Sequence, residues 1–239
     1  MTLLPYLPWL ARAPHGHGQP VLVLPGLLAT DNSTVALRRY LTFLGYAVHG
    51  WGLGRNRGPT LSVMEGMPSA VWQLYRRYQE PVALIGWSLG GIYARHLARI
   101  TPDLISQVIT LGSPYAMSDP HQTRAMPAYN RHAATHVVSD ELAGRPEPDD
   151  RPLPVPSTSV YSRSDGIVAW QTCREQPGPT NENVAVRCSH LGFGHSAPVL
   201  WLVADRLAQW PGQWQPFRPP CSARALYRAD CKGSRLRFW

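Results

Sequence analysis

Between residues 20 and 111, short apolar runs alternate with segments of helical length, and no feature of the chain constrains its fold more. Pro20 to Leu24, Tyr46 to Trp51, Pro81 to Ile85 and Gln107 to Leu111 read as strands. Ser33 to Leu44, Leu61 to Tyr78 and Leu89 to Ile100 read as the helices between them, the last stopped by Thr101-Pro102. Further on, Ser159 to Tyr161 and Asn183 to Arg187 predict two more strands, and Ala197 to Trp210 a final helix. Strands separated by helical crossovers predict an α/β fold, with a mostly parallel central sheet flanked by helices. In such a sheet, reactive groups belong at the carboxyl ends of the strands.

The third strand runs into Gly86-Trp87-Ser88-Leu89-Gly90 and then a helix. A Gly-x-Ser-x-Gly match is weak alone, but a strand before it and a helix after it are the context a presented nucleophile needs. Small flanking residues let helix and strand approach while the serine stands on a sharp turn. Ser88 then sits at a helix N-terminus, where the Leu89 N–H points towards a developing oxyanion. A second donor is expected from the loop after the first strand. There Pro25-Gly26 forces a sharp exit, and the main chain of Leu27 can turn inward. A plain strand-to-helix loop, with Asp31 or Ser33 as cap, is compatible with that role.

The segments VLVLPGLLA, LIGWSLGG, ITLGSP, VYSRSDGIV and NVAVRCSHLG together resemble the α/β-hydrolase superfamily, in particular its small bacterial lipases and esterases. The resemblance runs from about Pro20 to Gln209, in the order nucleophile, acid, histidine. The sequence departs from it in having Pro25-Gly26 where the family has His-Gly, and in the stretch after Trp210. The resemblance implies an α/β-hydrolase fold, a carboxylic ester (small-molecule, lipid or polymer) as substrate, and no cofactor or metal.

A serine hydroxyl needs a base, and the base needs an orienting acceptor. Acidic candidates after Ser88 include Asp103, Asp119, Asp140, Glu141, Asp149, Asp150 and Asp165. Asp165 follows the strand Ser159 to Tyr161 through Ser162-Arg163-Ser164, and its SDGIV segment resembles the family's acid turn. Asp149 and Asp150 lie in a charged, proline-rich stretch and read as solvated. Two of the nine histidines follow Asp165. His190 stands at the end of a strand, and SHLGF resembles the family's histidine segment. His195 precedes Ser196, a good helix cap with Pro198 in the first turn, and reads as a rim residue. The expected triad is Ser88, Asp165 and His190, with His195 as the competing base. Leu27, Leu28, Trp87, Leu89, Leu191 and Phe193 are candidates for an apolar pocket. The rival from another class is a non-catalytic α/β-hydrolase scaffold that binds a ligand or partner.

Other features carry less. His132 and His136 could share a helix face as metal ligands, but no glutamate completes a metalloprotease motif. WGLGRNRG holds a Gly-x-Gly without the third glycine or the acidic residue of a dinucleotide site. Its Trp51, Arg55 and Asn56 could instead wall the pocket. Net charge is +8, yet residues 211–239 hold six cations against one anion, leaving +3 for residues 1–210. That weakens a nucleic-acid reading. No apolar run is long enough to cross a membrane, and no clear signal peptide is read, which slightly favours a cytoplasmic location. Cys173 and Cys188 flank one loop and strand, so a bridge and free thiols are both compatible. The expected organisation is a lead-in (1–19), a hydrolase domain (20–210) and a basic, loosely held tail (211–239). Within the domain, residues 114–156 read as an inserted cap or as a surface excursion.

Overall fold

The structure, a computed structural model, describes residues 4–137, 152–176 and 178–228. A short helix α1 (Leu7–Leu10) precedes β1 (Pro20–Leu24), α2 (Val35–Phe43), β2 (Ala47–Gly50) and α3 (Leu61–Tyr78). Then come β3 (Val82–Trp87), α4 (Leu89–Ile100), β4 (Ile105–Leu111), α5 (Met126–Asn130), β5 (Ser157–Ser162), β6 (Asn181–Val186), α6 (Ala197–Leu207) and β7 (Tyr227–Arg228). The strands form one sheet in the order β2-β1-β3-β4-β5-β6-β7. All neighbours from β2 to β6 are parallel, and only the two-residue β7 runs antiparallel, against β6.

β1 and β3 read as continuous apolar runs because both faces of the sheet are covered there. Val21 and Val23 of β1 pack on one side with Leu37 and Leu41 of α2 and Val199, Leu200 and Val203 of α6. Leu22 and Leu24 pack on the other with Val63, Met67 and Val71 of α3 and Tyr93, Ala94 and Leu97 of α4. Each such side chain, fully withdrawn from water, contributes about 1.5–3 kcal/mol. The lead-in joins this core: Leu10 and Ala13 are buried, and Trp9 stacks on Trp201 of α6 at 4.6 Å. Among the described residues no helix is long and apolar enough to cross a membrane.

Some boundaries shift for physical reasons. The region Ser33 to Leu44 opens with a 3-10 turn, Asp31–Thr34, capped by the Thr30 hydroxyl, and becomes α-helical only at Val35. β3 extends two residues past Ile85, because Gly86 and Trp87 pair with Thr110 and Leu111 of β4. β5 begins at Ser157, two residues earlier than its apolar pattern suggests. Ser157, Thr158 and Ser159 are buried but hydrogen-bonded, to Glu175, to Glu182 and to the Cys173 carbonyl respectively. α6 stops at Leu207 rather than Trp210, with Ala208 as its C-cap.

Beyond Trp210 the described residues lie against the domain. Buried Arg206 donates to Glu182 and to the Gln215 carbonyl, and the Phe217 N–H donates to the other Glu182 oxygen. Tyr227 is buried, and its hydroxyl donates to the Pro198 carbonyl. The last eleven positions of the tail lie outside the described residues, as do 138–151 of the expected cap. Residues 114–137 form short 3-10 turns and α5 over the carboxyl ends of the strands. Cys173, Cys188 and Cys221 are free thiols, so Cys173 and Cys188 are not bridged.

Candidate active site

The carboxyl ends of β3 to β6 lie side by side: Trp87 pairs with Leu111, Leu111 with Val160, and Ser162 with Val186. Ser88 directly follows β3 with φ 53° and ψ −121°, a backbone conformation that costs a non-glycine residue of order 1–3 kcal/mol. Its frame forces that turn. The Ser88 N–H donates to the Leu111 carbonyl at 2.9 Å, and α4 begins one residue later. A Cβ at Gly86 would collide with Gly90 and Gly91 of α4, and one at Gly90 would strike the Leu24 carbonyl. Glycine at both positions therefore lets the start of α4 rest on β3 and on the end of β1.

Asp165 stands three residues beyond β5 and His190 four beyond β6, so adjacent parallel strands deliver the two side chains to one place. His190 Nδ1 lies 2.6 Å from Asp165 Oδ2, and both side chains are buried. The other carboxylate oxygen accepts the N–H groups of Ile167 and Val168 at 2.8 and 2.9 Å. An ionised carboxylate only accepts, so the imidazole proton belongs on Nδ1 and the Nε2 lone pair is left for chemistry. Trp87 Nε1 donates to the His190 carbonyl at 3.2 Å, tying the histidine loop to the residue before Ser88. Phe193 meets the His190 ring edge-on at 6.2 Å. The Ser88 hydroxyl makes no hydrogen bond among the described residues.

The loop after β1 also reaches Ser88. A Cβ on Gly26 would lie 3.2 Å from the Ser88 Cβ and 3.9 Å from its Oγ, so the peptide that follows Gly26 passes beside the hydroxyl. That peptide carries the Leu27 N–H. Among the described residues no group accepts from the Leu27 N–H or from the Leu89 N–H in the first turn of α4. Two unspent donors thus flank the serine. A pocket of about 40 Å³ opens there, lined by Ser88, Leu27, Leu89, Ile92 and roof residues including Met117, Met126 and Tyr129.

The roof is joined to the loop that carries Asp165. Ala116 N–H donates to the Thr172 carbonyl, Arg124 N–H to Ile167 and Ala169 N–H to Gln122. At its other end the Val137 N–H reaches the Pro59 carbonyl. The far end of the acid loop is held from below by Glu175. Its carboxylate pairs with Arg95 of α4 at 2.8 Å, with both side chains buried, and the Arg95 guanidinium lies 3.9 Å from the Tyr115 ring centre.

Several solved structures share this architecture. Aspergillus fumigatus lipase B matches with a TM-score of 0.65 at 15% identity, over 84% of this chain and 55% of that one. A structure of the metagenome-derived lipolytic enzymes LipS and LipT matches at 0.59 and 16% identity, over 81% and 93%. A pyrethroid hydrolase from Sphingobium faniae JZ-2 matches at 0.58 and 19% identity, over 82% and 99%. The chain has the α/β-hydrolase fold. It spans just over half the length of lipase B but nearly the whole of the other two. No family model matches the sequence, and no curated protein sequence matches it.

Within this fold the expected site residues separate. His195 is exposed and lines a different, larger cavity of about 430 Å³ behind the histidine loop, together with Tyr6, Cys188 and Leu226. Of the six expected pocket residues, Leu27 and Leu89 face the pocket of Ser88. Trp87 and Phe193 instead point into the core, since alternation along β3 sends Trp87 to the α6 side of the sheet. Leu191 is 66% exposed. Trp51, Arg55 and Asn56 do not line the pocket; they stand behind the loop after β1. His132 and His136 share no helix face, because α5 ends at Asn130, and His136 bonds the Arg57 carbonyl while packing on Tyr129. No cluster of metal-ligating side chains occurs among the described residues. Neither the Arg95–Glu175 pair nor Asn56 carries a sequence signal, since each is an isolated polar residue in an otherwise ordinary segment.

Proposed function

We propose that the protein is a serine hydrolase that cleaves carboxylic esters through an acyl-enzyme, with Ser88 as nucleophile, His190 as base and Asp165 as orienting acid. The observation that carries this reading is the 2.6 Å contact between His190 Nδ1 and Asp165 Oδ2 at the strand edge where Ser88 stands in its strained turn. Ser88 Oγ attacks the acyl carbon while His190 Nε2 takes its proton, and the carboxylate of Asp165 stabilises the imidazolium. The carbonyl oxygen becomes an oxyanion held by the N–H groups of Leu27 and Leu89. His190 returns its proton to the leaving alcohol. It then activates a water that releases the acid and restores Ser88. The Ser88–His190 hydrogen bond forms as substrate binds, since such contacts are often long in unliganded enzymes.

The apolar wall of Leu27, Leu89, Ile92, Met117 and Met126 suits an acyl group. Lipases, lipolytic enzymes and a pyrethroid hydrolase among the structural neighbours support ester hydrolysis as the reaction class. The test is hydrolysis of 4-nitrophenyl esters from acetyl to palmitoyl by the wild type and by Ser88→Ala, with a fluorophosphonate label on both. Ester turnover and labelling that vanish together in the variant are expected. Turnover retained by Ser88→Ala would overturn the mechanism. A folded wild type that neither turns over nor labels would favour the non-catalytic scaffold.

A further inference from the structure

The loop between β2 and α3 contains Asn56, whose side chain has no measurable exposure. A buried amide left without partners costs roughly 1–3 kcal/mol, so its bonds show what it is for. Its Nδ2 donates to the Pro25 carbonyl at 2.9 Å. Its Oδ1 accepts from the Gly58 N–H at 3.1 Å and from the Tyr93 hydroxyl of α4 at 3.4 Å. Its main-chain carbonyl accepts from the Leu28 N–H at 2.6 Å, and its own N–H donates to the Ala29 carbonyl at 2.9 Å. Beside it, Arg55 Nη1 donates to the Leu28 carbonyl at 2.8 Å.

These bonds grip the loop after β1 on both sides of Gly26-Leu27 and leave the Leu27 N–H unspent. The grip is needed, because Leu28 has φ 59°, a conformation costing a residue with a side chain roughly 1–2 kcal/mol. Released, that residue would relax and rotate the neighbouring peptide. Tyr93 lies one turn along α4 from Leu89, so one buried amide also registers the loop against the helix that supplies the other donor.

We infer that Asn56 is the positioning residue of the oxyanion hole: it fixes the Leu27 N–H in register with the Leu89 N–H without touching substrate. The inference rests on the ester-hydrolase reading, and its test separates the two. Asn56→Ala, Asn56→Asp (equal in volume, with the donor lost) and Tyr93→Phe are compared with wild type. The readouts are kcat, KM, and affinity for a trifluoromethyl ketone, whose adduct on Ser88 carries an oxyanion, against affinity for the matching methyl ketone.

For both Asn56 variants kcat falls roughly 10- to 100-fold, in the range of a mispositioned or missing donor, with KM within about twofold. The trifluoromethyl ketone weakens in parallel, while the methyl ketone does not. Tyr93→Phe, which keeps the Pro25 bond and is expected to fold, shows the same pattern at about two- to fivefold. Equal weakening of both ketones, or a Tyr93→Phe enzyme unchanged in both ratios where the Asn56 variants do not fold, overturns the inference. Failure of Ser88→Ala to abolish turnover would instead overturn the reading beneath it.

Discussion

The two sides of Ser88 are built differently. Beside the loop after β1, main chain is held by main chain, one buried amide and the Arg55 guanidinium: the Pro25, Leu28 and Ala29 peptides all bond to Arg55-Asn56. Beside the loop after β6, His190 is held through its ring by Asp165 and through its carbonyl by Trp87. Its neighbour Leu191 is largely exposed, and a cavity of about 430 Å³ lies behind. The contrast fits the roles proposed for the two sides. An oxyanion donor works by not moving, since its value lies in preorganisation. A base must serve first the serine, then the leaving group, then a water, and a single carboxylate on Nδ1 permits that while fixing the tautomer.

Removing each histidine in turn has the largest expected effect. His190→Ala should lower kcat/KM by roughly 10⁴-fold or more, whereas His195→Ala should stay within about threefold. Steady-state kinetics on one short ester decide it, and a large loss in His195→Ala would move the base to the wrong wall. The next largest effect concerns the anchor of the acid loop. Glu175→Gln removes the carboxylate charge that faces the Arg95 guanidinium and should cost about 3–5 kcal/mol of stability, read by urea unfolding. The double variant Arg95→Met, Glu175→Gln should recover part of that loss. Recovery of none would mean that the pair is not the anchor.

Trp87→Phe keeps the ring in the core but deletes the donor to the His190 carbonyl. One lost hydrogen bond and a smaller core ring predict a two- to tenfold fall in kcat and a loss of about 1–3 kcal/mol of stability, read by ester kinetics and urea unfolding. The smallest effect is a pH dependence. Burial, and then the nearby Asp165 carboxylate, push the Cys188 thiol from about 9 up to about 12. The unfolded chain therefore loses this proton first. The contribution is intact below pH 9 and is lost as pH rises towards 12. Melting temperatures at pH 8 and pH 10.5 should differ less for Cys188→Ser than for the wild type. An unchanged difference would assign the alkaline loss to other groups.

Long periodic segments were legible in the sequence. β1, α3 and α4 begin and end where their apolar spacing predicts, since burial on both faces of the sheet dominates there. β5 was harder, because its first three residues are polar and become strand through partners far along the chain, notably Glu175 and Glu182. At the site, strand, turn and helix around Ser88 follow from residue types, and Asp165 and His190 from their distance beyond a strand. The support beneath them does not. That Asn56 is buried, or that Trp87 faces the core rather than the pocket, depends on which side of a loop or strand a residue turns to, and no local spacing reports it.

Three main-chain hydrogen bonds join residues 116–124 to the loop carrying Asp165. Releasing them costs about 1 kcal/mol each, so an open form would make up roughly one molecule in a hundred. An ester too bulky for the closed pocket would then bind about a hundredfold more weakly than its contacts alone would give. Because the roof and the Asp165 loop share those bonds, admitting such a guest would also disturb the carboxylate that bonds the His190 ring. On the proposed mechanism, size selection and catalytic competence are thereby drawn from the same reserve of free energy.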